Sequence, residues 1–207
     1  MLSNTKNMTQ KQFALFGMFA PILFWTVYSA LSMLRPEYSF MTKAVSEMGS
    51  WDAPHLWIWN FLGFMGTGTL IMVYSWGLFK AISPKKSNRL PMIGLMLSGF
   101  FMIIAGVFPI DMENRNSLSS LLHTIGSFGS YIFFLIGAFT TPKLMKQSVY
   151  WKGVIMPTLT FTWLSIVFGA WAFVFPHIPG VGQRIVFLFY FLWIFYTAFK
   201  MYKQNQN

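Results

Sequence analysis

LPMIGLMLSGFFMIIAGVFPI, residues 90–110, contains no charged side chain, although Arg89 precedes it and Asp111 follows it. A helix needs about 20 consecutive apolar residues to cross the hydrocarbon core of a bilayer. Inside that core only a helix or a closed barrel can pair every backbone N–H and C=O group. The stretch therefore predicts a transmembrane helix, and it decides the fold class of the chain.

Five further apolar runs of similar length lie on either side of this stretch. The predicted spans are Phe13–Leu34, Leu56–Phe79, Leu90–Ile110, Leu121–Thr141, Gly153–Phe175 and Arg184–Lys203. Because the connections between them are short, we expect residues 1–207 to form a single transmembrane domain, an all-α bundle of six helices. The first run is longer than the apolar core of a signal peptide, so we expect it to stay as an anchor.

Composition supports a membrane protein over a soluble one. Of 207 residues, 55% are hydrophobic and only 10% are charged, and the mean hydropathy is +0.53. Soluble domains carry roughly 25% charged residues, so most of this chain cannot be solvated by water. The chain has no cysteine, which excludes disulfides, thiolate metal sites and cysteine nucleophiles.

The net charge of +10 comes from 15 basic and 5 acidic residues, and the basic residues lie between the apolar runs. This distribution is typical of membrane proteins that follow the positive-inside rule and contact anionic lipid. It gives no indication of a nucleic-acid partner. One side of the membrane would carry Lys6, Lys11, Lys80, Lys85, Lys86, Arg89, Lys143, Lys146, Lys152, Lys200 and Lys203. The other side would carry Arg35, Lys43, Arg115 and Arg184. We therefore expect a multi-pass protein of the cell (plasma) membrane with both termini in the cytoplasm.

All acidic residues and all histidines fall on or near the predicted outer face. They are Glu37, Glu47, Asp52, Asp111, Glu113, His55, His123 and His177. The longest outer connection contains YSFMTKAVSEMGS, Tyr38–Ser50, whose apolar residues follow helical spacing. It predicts a short amphipathic helix on the outer surface between spans 1 and 2. We expect Gly49 to end that helix and Asp52 to cap the second span.

Histidine and carboxylate side chains of this face are the candidate site. The outer ends of the helices in an up-down bundle can converge, so these side chains can lie close together. Catalytic zinc sites use three protein ligands. His55, His123 and His177 are therefore candidate ligands of zinc or another divalent metal. Glu47 would act as general acid and base, and Asp111 would orient or ligate. The alternatives are structural: Asp111 caps a turn or pairs with Arg115, and Glu47 is solvated on the exposed side of its helix. His123 packs inside the bundle, and His177 is an exposed interfacial residue.

Small residues predict which helix faces pack together. In the fourth span they form a stripe of Ser119, His123, Gly126, Ser130 and Gly137, and in the fifth a stripe of Thr158, Thr162, Ser165, Gly169 and Ala172. Such stripes allow helices to approach closely in lipid. The aromatic last span, from Phe187 to Tyr196, is expected to face lipid over most of its surface. Arg184 is expected to be an interfacial anchor, with anion binding as the alternative.

Three motifs carry a resemblance to a known family. YSFMTKAVSEMGSWDAP (38–54), GVFPID (106–111) and His123 resemble the family called domain of unknown function 998. The resemblance implies a small bacterial or archaeal multi-span membrane protein and implies no activity. The spacing Ser119-x-x-x-His123 also resembles an element of the membrane hydrolases that include alkaline ceramidases, although this chain has neither their seventh span nor their later histidine pair.

The leading hypothesis is an integral membrane protein with an outer-face polar cavity that binds a small ligand or lipid. The alternatives are a metal-dependent membrane hydrolase acting at the outer leaflet, a non-catalytic scaffold, a small transporter, and a haem protein with His55 and His123 as axial ligands. No ionisable residue lies near the middle of a predicted span, whereas transport sites usually lie at the bilayer midplane. The sequence assigns neither a substrate nor an oligomeric state.

Overall fold

The computed structural model describes residues 8–83 and 87–204. Its six long helices are α1 (Gln10–Met33), α2 (Leu56–Ile82), α3 (Leu90–Val107), α4 (Leu118–Met145), α5 (Val149–Val174) and α6 (Pro179–Gln204). Each is long and apolar enough to cross a membrane, and the described residues contain no strand. The predicted all-α fold with six spans is therefore confirmed.

The helix ends follow from local hydrogen bonding. Thr9 caps α1, since its hydroxyl accepts from the Gln12 amide while the Gln12 side chain accepts from the Thr9 amide. Ser117 caps α4 by accepting from the Ser120 amide at 3.3 Å, so α4 begins before the predicted Leu121. Helix α6 begins at Pro179, because proline is well suited to the first helical position, where its missing N–H has no partner to lose.

Two helices contain irregular segments. Helix α2 is a π-helix over Trp59–Gly66, and the buried Asn60 of that segment donates its side-chain amide to the Gly49 carbonyl at 3.0 Å. Helix α5 consists of three pieces, Val149–Lys152, Ile155–Gly169 and Trp171–Val174. π-Helical turns often mark functional positions, and the one in α2 lies beside the first connection.

The predicted amphipathic segment between the first two spans forms a helix, but a shorter one. It is a 3-10 helix over Val45–Gly49, and Gly49 ends it as predicted. Val45 and Met48 are buried, whereas Phe40 is exposed. Glu47 fixes the start of the helix, since its Oε1 accepts from the Ala44 amide at 2.8 Å.

The bundle has two distinct faces. Connections 34–55, 108–117 and 175–178 share one face, which we call the loop face, and hydrogen bonds join them: Trp51 N donates to Ile110 O, and Gly180 N donates to Met41 O. The start of α1 and the end of α6 lie together on the opposite face, where the Gln10 side chain donates to the Gln204 side chain at 3.0 Å. We call that the terminal face. Lys6, Lys85 and Lys86, which entered the charge count, lie outside the described residues.

Glycine contacts set the packing of α3 against α4. A Cβ atom at Gly126 would lie 2.5 Å from the Ala105 amide nitrogen and 2.9 Å from the Phe101 carbonyl oxygen, and one at Gly94 would lie 2.7 Å from the Gly137 nitrogen. These are backbone atoms that cannot rotate away. The predicted small-residue stripe of α4 therefore faces α3, as small residues allow in membranes.

The prediction that the aromatic last span faces lipid is wrong. Tyr190, Phe191 and Trp193 of α6 are all buried, and the Phe191 ring lies 4.6 Å from the Phe24 ring of α1. Helix α6 also contacts α2, since the Tyr74 hydroxyl donates to Thr197 at 2.6 Å. Aromatic side chains form both interfacial belts and tightly packed cores, so their number alone did not distinguish the two environments.

Candidate functional site

Arg35 organises the first connection of the loop face. It is buried, and its guanidinium forms ion pairs with Glu37 and with Asp52 and donates to the Glu47 carbonyl at 2.7 Å. Asp52 is therefore a partner of Arg35, and the prediction that it caps the second span is wrong, because His55 is the residue that precedes α2. From its position in the sequence, Arg35 was predicted only to contribute to the topological charge.

The two carboxyl groups beside Arg35 are held in the ionised form. The hydrogen bond from Arg35 lowers the pKa of Glu37 below its ordinary value. Burial raises the pKa of Asp52, but hydrogen bonds from Ser50 and the backbone, together with Arg35, outweigh that effect and leave it lowered. Both carboxylates thus serve to neutralise a buried cation, as buried charges require.

Arg184 is half-buried, and its guanidinium is held by groups of the protein. Its guanidinium donates to the hydroxyls of Tyr28 and Tyr38 at 2.7 and 2.8 Å and to the carbonyls of Lys43 and Gly180. The rings of Tyr28, Tyr38 and Phe40 surround it at 5.3–5.5 Å. Burial raises the pKa of Tyr38, so its hydroxyl stays protonated and donates to Ala44 O. Arg184 therefore fixes the first connection onto α6.

His123 joins the ends of α3 and α4. Its Nδ1 lies 2.8 Å from the Ala105 carbonyl and 3.0 Å from the Phe108 carbonyl, so Nδ1 carries the proton, because carbonyl oxygens only accept. The side chain is 3% exposed, and its Nε2 is buried without a hydrogen-bond partner. This position fits the packing alternative for His123. The neighbouring Ser119 donates to the Pro109 carbonyl at 2.6 Å, which also has a structural role.

Asp111 and Glu47, the candidate catalytic acids, both bind backbone amides. Asp111 Oδ1 accepts from the amides of Glu113 and Asn114 at 3.0 and 2.9 Å, which is the turn cap considered as its alternative. Glu47 Oε1 accepts from the Ala44 amide. Glu47 nevertheless differs from Asp111, because Glu47 lines a cavity.

The other two candidate metal ligands lie at the surface of the loop face. His55 and His177 are both exposed, whereas His123 is buried inside the bundle. Within residues 8–83 and 87–204, no three histidine, aspartate or glutamate side chains lie together so that they could hold a metal ion. Metal ligation by His55, His123 and His177 stays a prediction of the sequence, and this geometry gives it no support.

A cavity of about 560 Å³ lies under the loop face between α3, α4, α5 and α6. Thr42, Ala44, Ser46 and Glu47 of the first connection form part of its lining near the loops, and aromatic rings from α2, α4, α5 and α6 form its walls. Its charged lining residues are Glu47 and Arg115. From the sequence, Glu47 was predicted for another role, and Arg115 was predicted as a topological charge or as a partner of Asp111.

Hydroxyl groups form the inner end of the cavity, and they already bind one another. Ser130 and Tyr190 line the cavity, and Ser98 behind them lies 2.9 Å from the Tyr190 hydroxyl and 3.5 Å from Ser130. Tyr131, also in the lining, bonds Ser165 at 3.2 Å. Ser130 belonged to the predicted stripe of the fourth span, but nothing in the sequence placed Tyr190 beside it.

Segment 42–47 is held over the cavity by α6. The Val45 amide donates to Gln183 Oε1 at 2.6 Å, and Gln183 itself lines the cavity. The Gly180 amide donates to the carbonyl of Met41, the residue directly before this segment. Gln183 was not singled out from the sequence, because one glutamine near a predicted interface carries no distinctive signal.

One side of the cavity reaches the surface of the bundle between α4 and α5. Phe128 of α4 lines the cavity and is 65% exposed. Gly169 and Ala172 of α5 also line it and are exposed. In the predicted fifth-span stripe, Thr158, Thr162 and Ser165 are buried, whereas the last two members border this opening.

One known protein family matches most of the chain. A family described as "Protein of unknown function (DUF998)" matches residues 18–200, which include all six spans except the ends of the first and last. No curated protein and no solved structure matches the chain. The match confirms the resemblance carried by segments 38–54 and 106–111 and by His123. The chain is therefore a member of the DUF998 family of multi-span membrane proteins.

Proposed function

We propose that the protein binds an amphipathic small molecule, a lipid or lipid-like compound, in the cavity under the loop face. The observation that carries this proposal is that a single cavity combines aromatic walls, a charged rim and an opening on the side that would face lipid. Its volume of about 560 Å³ lies within the range of small-molecule sites, roughly 300–1,000 Å³.

The lining supports an amphipathic ligand over a fully polar one. The hydroxyls of Ser130, Tyr190 and Tyr131 already have partners within the protein, so the inner end of the cavity leaves no polar group that requires a ligand. Phe128, Phe168 and Trp171 offer apolar surface, and burial of apolar surface contributes about 25 cal/mol per Å². An apolar chain therefore fits the inner part, and a polar head fits the rim.

The opening between α4 and α5 supports entry from the bilayer. Phe128 and Ala172 border both the cavity and the exposed surface of the helices, so a chain that fills the cavity can continue into the surrounding lipid. We further propose that the loop face is the outer face of the plasma membrane. The basic residues Lys11, Lys80 and Lys143 lie toward the terminal face, as the positive-inside rule requires of the cytoplasmic side.

A pair of glycine variants in one span tests the proposal. A Cβ atom at Gly169 would meet only the Tyr131 hydroxyl, at 3.7 Å, and one at Gly153 would meet only the Tyr150 carbonyl, at 4.0 Å. Both sites therefore have room for a side chain, but only Gly169 lines the cavity. Gly169→Leu should fill the cavity, and Gly153→Leu is the matched control.

The measurement is native mass spectrometry of detergent-purified protein titrated with single-chain lipids of several head groups. The wild type should bind one molecule saturably. Gly169→Leu should weaken that binding by about 10-fold or more, a loss of about 1.4 kcal/mol, while Gly153→Leu should bind like the wild type. Absence of saturable binding to the wild type, or equal binding by both variants, would overturn the proposal.

A further inference from the structure

We infer that the ligand of this cavity carries a zwitterionic head, with a primary ammonium group that pairs with Glu47 and an anionic group that pairs with Arg115. This inference rests on the proposed function, since it names the chemical class of the molecule bound there. It follows from the charged groups of the loop face, taken one at a time.

Most of these groups already have partners in the protein. Arg35 pairs with Glu37 and Asp52, the guanidinium of Arg184 binds two hydroxyls and two carbonyls, and the Asp111 carboxylate caps a turn. These groups are thereby occupied. Glu47 and Arg115 are the charged residues that line the cavity, and neither takes part in an ion pair among the residues that the structure describes.

Glu47 is positioned to accept hydrogen bonds from a ligand. Its Oε1 accepts from the Ala44 amide at 2.8 Å, and its own carbonyl is held by Arg35 and Ser50. In the described part of the chain its second oxygen, Oε2, has no hydrogen bond. The backbone contacts thus hold a half-buried carboxylate at the cavity with one oxygen available. A primary ammonium can donate to that oxygen, and charge-assisted bonds of this kind are about twice as strong as neutral ones.

Arg115 offers the complementary charge. It precedes α4, lines the cavity and is exposed. Among the described residues its guanidinium forms one hydrogen bond, to the Met112 sulfur at 3.5 Å. A guanidinium presents several N–H groups in a planar fork that matches phosphate or carboxylate oxygens. Because Glu47 and Arg115 form no ion pair with each other, a head that carries both charges can neutralise both residues at once.

Two sources share this head chemistry, namely a phosphoethanolamine lipid and a free small zwitterion. The probes are lysophosphatidylethanolamine, lysophosphatidylglycerol with the same chain, and free O-phosphoethanolamine. The variants are Glu47→Gln and Arg115→Gln. Glutamine at position 47 keeps the oxygen that accepts from Ala44, because glutamine also serves at this capping position. Glu113→Gln and Lys43→Gln are controls, which remove a charge from the loop face without touching the cavity lining.

The wild type should bind the ethanolamine lipid more tightly than the glycerol lipid. Glu47→Gln should weaken binding of the ethanolamine lipid by about 10-fold or more and leave the glycerol lipid nearly unchanged, whereas Arg115→Gln should weaken both. The two controls should bind like the wild type. Free O-phosphoethanolamine that binds as tightly as the lysolipid would support a soluble zwitterion, and weaker binding would support the lipid.

Two results separate this inference from the proposed function. A wild type that binds both lysolipids equally, with Glu47→Gln having no selective effect, would overturn the zwitterionic head and leave ligand binding in place. A wild type that binds none of the single-chain lipids would overturn ligand binding itself. Melting temperatures of all variants, measured in the same detergent, show whether a lost affinity reflects a lost fold. Arg115→Gln gives an independent test of the zwitterionic head, because it removes the other charge of the cavity.

Discussion

Replacement of Gly126 by alanine tests the packing on which the bundle depends. The added Cβ would lie 2.5 Å from the Ala105 nitrogen and 2.9 Å from the Phe101 oxygen. Real Cβ atoms essentially never approach so closely, and both neighbours are backbone, so α3 and α4 must separate. Overpacking of this kind typically costs about 1–3 kcal/mol. Gly169→Ala is the matched control, because its Cβ meets only the Tyr131 hydroxyl, at an ordinary contact distance of 3.7 Å.

The comparison of the two alanine variants isolates the packing cost. Alanine favours a helix over glycine by about 1 kcal/mol, and this gain largely cancels when the variants are compared with each other. For a chain of this length a change of 1 kcal/mol moves the melting temperature by about 2–4 °C. Gly126→Ala should therefore melt about 2–12 °C below Gly169→Ala in a fluorescence melt in detergent. Equal melting temperatures, or a lower one for Gly169→Ala, would refute the assigned α3–α4 contact.

Three further predictions follow from other parts of the bundle. Arg35→Met should lower the melting temperature near neutral pH. Because the pKa of Asp52 is lowered in the fold, the stability that its ionised carboxylate contributes is present above the unfolded pKa and is lost as pH falls. The wild type should therefore lose more stability than the variant between about pH 6 and about pH 3. Phe191→Ala should cost about 3–5 kcal/mol, whereas Leu188→Ala, at an exposed site of α6, should cost far less; similar costs would contradict a buried α6. Reporter fusions should place Asn114 outside and the carboxyl terminus in the cytoplasm, and the reverse result would overturn the proposed orientation.

The parts of the fold that depend on the match between apolar segments and the bilayer were predictable. A long apolar segment that crosses a bilayer forms a helix, so the six helices could be placed from the sequence within a few residues. Glycines such as Gly126 and Gly137 were also informative, because small residues in lipid serve mainly to allow close approach. The prediction that α6 faces lipid was wrong, because aromatic residues such as Phe191 and Trp193 occur both in packed cores and at membrane interfaces.

The site was only partly predictable, because its residues acquire their roles through distant partners. Glu47 was identified as a chemically capable residue, but the cavity beside it depends on how α4, α5 and α6 diverge, which no local pattern encodes. Asp52 looked like a helix cap because it precedes a span, and only the position of Arg35 shows its role as a counter-charge. Gln183 and Arg115 have no sequence signal beyond their position near an interface.

The claim that a ligand chain occupies this cavity is tested most directly by photocrosslinking. Lysophosphatidylethanolamine with a diazirine on its acyl chain is bound to the protein in detergent, irradiated, and mapped by peptide mass spectrometry. We predict labelling of Phe128 and of the α5 lining residues Phe168, Gly169, Trp171 and Ala172. Gly169→Leu should abolish that labelling, and Gly153→Leu should preserve it. Labelling spread evenly over exposed positions such as Phe19 and Ile22 of α1, and unchanged by Gly169→Leu, would show that the acyl chain does not occupy the cavity.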